Sequence, residues 1–182
     1  MEKHWNILSA DKPVVTSLAK RLNVSEIVAR LLVLRGITSF DDAKLFFRPE
    51  LEHLHDPFLM KDMQKAVDRI ELAIVEKEKI LVYGDYDVDG TTSVAMMYLF
   101  LKKQGVEIEY YIPCRYDEGY GISLKGIDYA KANNFSLIIA LDCGIRAINQ
   151  IDYANEKYID FIICDHHTPS NLIPQAIAVK NP

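Results

Sequence analysis

Cysteine is scarce in this chain. The three present, Cys114, Cys143 and Cys164, show no Cys-x-x-Cys spacing. An odd, unpaired set excludes a disulfide framework and gives no structural zinc site. Free thiols of this kind pack as small hydrophobes, which is the role expected of Cys143 and Cys164. No apolar run approaches the roughly 20 residues of a membrane span. The opening Met1-Glu2-Lys3-His4-Trp5 lacks the apolar centre of a signal peptide. The expectation is a cytoplasmic chain with no membrane partner. Internal repeats and low-complexity tracts are missing as well. So is an excess of positive charge: the formal net charge is −5, which on its face speaks against a nucleic-acid partner.

What is present is enough apolar residue for a sizeable core. A length of 182 residues suits one domain with an extension. Residues 1–60 read as a small helical extension. Pro13 to Leu22 and Ser25 to Leu34 carry apolar positions at three and four spacing, with Ser25 a cap and Gly36 a stop. Ser39 caps a short helix through Phe47, halted before Pro49. His53 and His55 fall in the turn-rich link that follows and are expected to be surface residues. Lys61 to about Lys77 is amphipathic.

Residues 61–182 read as a domain in which strands and helices alternate. Apolar runs at Ile80-Leu81-Val82, Val106 to Ile112, Ser136 to Leu141 and Phe161 to Cys164 alternate with helical stretches. Those stretches are Thr91 to Leu101, Leu124 to Asn133 and Ala147 to Lys157, and Ala176 to Val179 is a candidate fifth strand. Such alternation predicts an α/β fold, a doubly wound and mainly parallel sheet with helices on both faces.

The densest chemistry lies at Asp85-Tyr86-Asp87-Val88-Asp89-Gly90, between the first strand and its helix. Three carboxylates at alternate positions repel one another unless a cation neutralises them, and hard oxygen donors suit Mg²⁺, Mn²⁺ or Ca²⁺. A calcium loop of the EF-hand type would need Glu at its twelfth position, which is Met96, and a helix rather than a strand before it. Gly90 is expected to let the backbone bend, and Thr91, Thr92 or Ser93 to cap the helix. Two further strands also end in Asp: one at Asp142-Cys143-Gly144, the other at Asp165-His166-His167. In an open parallel sheet the carboxyl ends of the strands line one edge, where ligands bind. The loop Pro113 to Gly121 leaves the second strand at the same edge. In it Arg115 could hold a phosphate, and Tyr120 between Gly119 and Gly121 could stack on a base. An ordinary turn with a surface aromatic is the alternative for that loop.

The Asp85–Gly90 motif, Asp142 and the Asp165-His166-His167 triplet together resemble the DHH phosphoesterase superfamily. The loop Arg115-x-x-Glu118-Gly119-Tyr120-Gly121, with Leu34-Arg35-Gly36-Ile37 and Leu54 to Met63, is similar to the RecJ-type single-strand-specific exonuclease branch. The resemblance implies a two-metal phosphodiester hydrolase using Mn²⁺ or Mg²⁺. It implies Asp87, Asp89, Asp142 and His166 as ligands, with Asp142 bridging, and Asp85 either as a ligand or as an acceptor behind them. Asp165 is expected to orient His166, and His167 to meet the scissile phosphate. Arg115, Glu118, Gly119, Tyr120 and Gly121 are the expected substrate contacts. Two divalent ions would offset the acidic net charge.

The implied partner is single-stranded DNA, degraded from its 5′ end in repair and recombination, with single-strand-binding protein and helicase as associates. The branch also implies a last Asp ligand, a DHHA1 domain and an oligonucleotide-binding barrel beyond Pro182. These residues are therefore expected to be an N-terminal portion, inactive alone. Two other functions fit less well: a DHH-type oligoribonuclease or cyclic-dinucleotide phosphodiesterase, and a non-catalytic replication scaffold, which predicts eroded ligands.

Overall fold

The computed structural model describes residues 4–181. It divides into two compact units, Met1–His55 and Asp56–Pro182. The first holds α1 (Lys12–Leu22), α2 (Glu26–Val33) and α3 (Phe40–Phe47). Ser25 and Ser39 cap α2 and α3 by accepting from the amides of Val28 and Asp42. The His53 ring accepts from the Glu50 amide within a short 3₁₀ turn, a local structural use of that side chain.

The second unit holds α4 (Met63–Val75), β1 (Lys79–Gly84), α5 (Val88–Lys103), β2 (Ile108–Tyr111), α6 (Leu124–Ala132), β3 (Phe135–Leu141), α7 (Ile148–Glu156), β4 (Asp160–Cys164) and β5 (Ala178–Lys180). The five strands form one sheet in the order β2-β1-β3-β4-β5, and every pair is parallel. The last crossover, from β4 to β5, runs through irregular chain instead of a helix. Strand periodicity divides the core in two. Leu81, Tyr83, Ile138, Ala140, Phe161 and Ile163 face Ile127 and Ala130 of α6 and Ile151 and Ala154 of α7. Ile80, Val82, Leu137, Ile139 and Ile162 face Ala66 and Ala73 of α4 and Val94 and Leu101 of α5. The sheet is therefore doubly wound, as the alternation predicts.

This strand order reverses direction between β1 and β3. The crevice outside their carboxyl ends is the topological switch point, where such sheets bind ligands. Asp85 follows β1 directly and Asp142 follows β3 directly. Among the described residues, no helix is long and apolar enough to cross a membrane.

The turn after β1 differs from expectation. Helix α5 begins at Val88, and its cap is Asp87, whose carboxylate accepts from the Gly90 amide at 2.9 Å. Thr91, Thr92 and Ser93 lie inside the helix. Asp87 competes better for the cap because its anionic oxygen meets the positive end of the helix dipole. Gly90 is not a bend either. It sits in the first helical turn, where an added Cβ would lie 2.4 Å from the carbonyl oxygen of Asp85. The glycine is needed so that α5 can lie against the end of β1.

Candidate metal centre

Burial and repulsion define the chemistry at the switch point. Asp85 is 1% exposed, and neither of its carboxylate oxygens has a hydrogen-bond partner of good geometry. Only the adjacent Tyr86 amide offers weak support within the turn. Burial pushes the Asp85 carboxyl above its ordinary pKa, and the nearby charge of Asp87 pushes the same way. Asp142 is buried as well and is raised by burial first, then by Asp87, with Asp89 adding a smaller repulsion. Four carboxylates from two strand ends therefore share one field. Residue 142 also adopts the left-handed conformation, φ 60°, which Asp tolerates better than most side chains.

The third strand end brings the imidazoles. His166 Nε2 lies 3.0 Å from Asp142 Oδ1. His167 Nδ1 lies 2.7 Å from Asp165 Oδ1, and the His167 amide donates to the same oxygen. Asp165 thus orients His167; the expected pairing with His166 is not formed. The reason is local: an Asp carboxylate reaches most easily to the backbone two residues on, in an Asx turn. The other Asp165 oxygen accepts from the Ile145 amide. Burial alone would raise the Asp165 carboxyl, but these amides and the His167 ring hold it below the usual range. Its hydrogen bond in turn raises the His167 imidazole.

Ligand atoms of Asp142, His166 and His167 all lie within 4.8 Å of one another. That matches the span of about 4–5 Å set by two metal–oxygen bonds on one divalent ion. His167, expected to meet substrate, is thereby placed among the potential ligands. Asp87 and Asp89 stay exposed at the start of α5. The residues fit a divalent cation on two grounds: the buried Asp85 carboxylate lacks partners, and the donor set mixes carboxylates with imidazoles as Mn²⁺ prefers.

The β2–α6 loop divides into parts that face the site and parts that hold the loop. The Tyr120 hydroxyl lies 3.2 Å from His167 Nε2, and burial with Asp85 and Asp165 nearby pushes that phenol up to about 12. Arg115 stacks over the Tyr86 ring at 5.4 Å. Gly119 and Gly121 take φ of 81° and 80°, open only to glycine without strain. Glu118, expected at the substrate, turns inward instead. It accepts from the Cys114 amide, Tyr111 and Ser123, so its carboxylate holds the loop.

Sequence reasoning misses Asn181. Its side-chain nitrogen donates to the carbonyls of Asp165 and His167 at 2.8 and 3.0 Å, pinning the imidazole loop to the end of β5. A recess of about 310 Å³ beside His167, lined by Tyr120, Ile122, Gly144, Arg146 and Gln150, likewise has no signal in the sequence.

Asp85→Asn tests the fit without any turnover. In chelator the variant should melt higher than the parent, by several degrees, since about 1 kcal/mol moves a domain of this size by roughly 2–8 °C. The sign follows from the raised carboxyl. Its folded form binds a proton more readily than the unfolded chain, so stability falls as pH rises through the folded pKa and stays reduced at neutral pH. With Mn²⁺ present the order should reverse, because only the parent gains stability by binding. A lower melt for the variant in chelator would show that Asp85 is not an uncompensated charge.

Comparison with known proteins matches residues 79–182 to the DHH family, N-terminal domain. The single-stranded-DNA-specific exonuclease RecJ of Bacillus subtilis (strain 168) is 42% identical over 178 residues, covering 98% of this chain and 23% of that protein. RecJ of Escherichia coli (strain K12) is 32% identical over 157 residues, covering 86% and 26%. The crystal structure of Thermus thermophilus RecJ in complex with Mn²⁺ superposes with a TM-score of 0.70 at 25% identity, over 98% of this chain and 24% of that one. A second exonuclease RecJ structure, bound to manganese, gives 0.63 at 31% identity, over 68% and 31%. The chain spans about a quarter of the length of these curated relatives. With more than half of its residues matched, and with strand-end acids and paired imidazoles at one crevice, the chain belongs to the DHH family.

Proposed function

We propose that the protein is a metal-dependent phosphodiesterase that degrades single-stranded DNA from its 5′ end. The observation that carries this reading is the grouping of Asp142, His166 and His167, with the buried, unpartnered Asp85 carboxylate at the end of the neighbouring strand. The relatives named as single-stranded-DNA-specific exonucleases support the substrate class. Asp85, Asp87, Asp89, Asp142 and His166 would hold Mn²⁺ or Mg²⁺, with His167 within reach of the same ion. When bound, divalent cations at such a site offset charge on the phosphoryl oxygens and make water a better nucleophile.

The chain's own residues do the rest. Asp165 holds the His167 ring in one orientation through Nδ1, so that Nε2 is the nitrogen turned to the site, where it would meet an ion when the ring is neutral or donate to a phosphate oxygen when it is protonated. The Tyr120 hydroxyl at His167 Nε2 keeps a donor at that rim. Arg115 offers a fork of N–H groups to the phosphate backbone, pre-positioned by stacking on Tyr86. The exposed Tyr120 face is available to a base. In the cell this reading places the protein in the cytoplasm, in DNA repair and recombination, working on strands delivered by a helicase or coated by single-strand-binding protein.

The direct test incubates the full-length protein with 5′-labelled single- and double-stranded DNA in Mn²⁺, Mg²⁺ or chelator. Release of mononucleotides from the single strand alone, abolished by chelator, is the expected result. Equal attack on duplex, or cleavage in chelator, would remove the proposal. Arg115→Ala should raise KM for single-stranded DNA by tenfold or more, the worth of one charge-assisted hydrogen bond of about 1.5–3 kcal/mol, with kcat little changed. An unchanged KM would take Arg115 out of the strand path.

A further inference from the structure

The centre described above is built from residues of the second unit, and the helical unit Met1–His55 has a feature of its own in its first two helices. Helices α1 and α2 are joined by three residues, Asn23-Val24-Ser25. Asn23 takes the left-handed conformation, φ 53° and ψ 47°, which lets the chain reverse within that length. The Val24 amide then returns to the Ala19 carbonyl at 3.1 Å, and Ser25 caps α2. Ala19 and Ala29, the smallest side chains of their helices, are both buried where the two helices meet. Leu18 and Leu32 fill the space around them. Helix α3 packs on α1. Two short helices linked by a tight three-residue turn, with a third packed on the first, have the connectivity of a helix-turn-helix motif, in whose DNA-binding form the second helix lies in the major groove.

Charge distinguishes this segment from the rest of the chain. Residues 11–35, from the cap of α1 to the end of α2 and its following turn, carry five cations, Lys12, Lys20, Arg21, Arg30 and Arg35, and two acids, Asp11 and Glu26, a formal charge of +3 in a protein of net −5. All five cations are exposed. Glu26 accepts from Thr16 of α1, so the acid of α2 is engaged within the pair. The outer face of α2 offers Ile27, Arg30 and Leu31, of which only Arg30 can hydrogen-bond a base edge. The two apolar side chains suit thymine methyl groups and read little else.

We propose that α1 and α2 form an anchor for duplex DNA, held through phosphates, with α2 at the major groove and little sequence preference. A single-strand-trimming protein equipped this way would hold the duplex flanking a single-stranded end. The anchor does not depend on hydrolysis, so it is measured in chelator, where no cleavage occurs.

The experiment follows fluorescence anisotropy of a labelled duplex of about 20 base pairs and of a single strand, with the full-length protein from low to moderate salt. The variants are Lys20→Gln/Arg21→Gln/Arg30→Gln and Ile27→Glu/Leu31→Glu. The charge variant should lose tenfold or more in duplex affinity at low salt. The slope of log K against log salt should become shallower by about 2–3, roughly 0.9 for each phosphate no longer neutralised. Its melting temperature should hold, because all three side chains are exposed, and hydrolysis of short single strands should be unchanged. The Ile27/Leu31 variant should also weaken duplex binding.

An unchanged salt slope in the charge variant would overturn the proposal. So would a parent protein that binds the single strand but not the duplex. If the Ile27/Leu31 variant dissolves a self-association while duplex binding stays intact, the face belongs to a protein contact and the anchor is refuted.

Discussion

Gly90→Ala is expected to destabilise the protein by about 3 kcal/mol or more, although it places the best helix former at a helical position. Propensity alone predicts a gain of about 1 kcal/mol. Sterics oppose it. The new Cβ would stand 2.4 Å from the Asp85 carbonyl oxygen and 2.7 Å from the Asp85 nitrogen, both backbone atoms that cannot rotate away. Overpacking of a tight site costs typically about 1–3 kcal/mol and more where the backbone must move. Here the backbone to be moved carries Asp85 itself. The same close approach recurs from the other side, since a Cβ on Gly84 would lie 2.4 Å from Val94 of α5. The measurement is a denaturant titration of parent and variant, with a Mn²⁺ titration on whatever folded variant remains. A midpoint that rises would mean that α5 and β1 are not in close contact. A folded variant with intact Mn²⁺ binding would separate that packing from the placement of Asp85.

The main elements of this site are legible in the sequence because its strands are buried on both faces. Buried parallel strands leave branched apolar runs, and the residue that ends each run stands at the sheet edge. Asp85, Asp142 and Asp165 can therefore be assigned to one rim from the runs alone. Less is visible where local chemistry competes. The Asp87 cap is open to view as an Asp three residues before a glycine amide, but the Thr-Thr-Ser run offers a rival cap that places the helix start three residues late. The Asp165–His167 pairing has its signal in the two-residue spacing of an Asx turn. A metal-centred expectation points that carboxylate at His166 instead. Glu118 looks like a rim acid because its loop leaves a strand end, yet Tyr111 and Ser123 are placed by β2 and the α6 cap to receive it. Asn181 is beyond the reach of spacing, since it meets the imidazole loop only through pairing of β5 with β4. The helix-turn-helix pair reads from sequence as two amphipathic helices; the left-handed Asn23 that makes them a unit is a backbone fact.

Removing one of the proposed ligands should have the largest effect on activity, and the choice of substitution matters. Asp142→Ala would confound two causes, because residue 142 sits at φ 60°, where an ordinary side chain is strained and Asn is not. Asp142→Asn keeps the shape and the backbone conformation while removing one of the four crowded charges. The folded protein in chelator should consequently be as stable as the parent or slightly more so, given that burial and Asp87 both disfavour the ionised Asp142. In the full-length protein, cleavage of single-stranded DNA in Mn²⁺ should fall by roughly 10³-fold or more, corresponding to about 4 kcal/mol of transition-state stabilisation. His166→Ala should fall comparably, since His166 Nε2 and Asp142 Oδ1 are 3.0 Å apart and would serve one ion. Because the two act as a unit, the double variant should be scarcely worse than either alone, the non-additivity expected of residues sharing one function. Multiplicative losses would instead assign them to separate tasks. Either single variant retaining activity within tenfold of the parent would dismantle the convergence of strand ends on which the proposed hydrolysis rests.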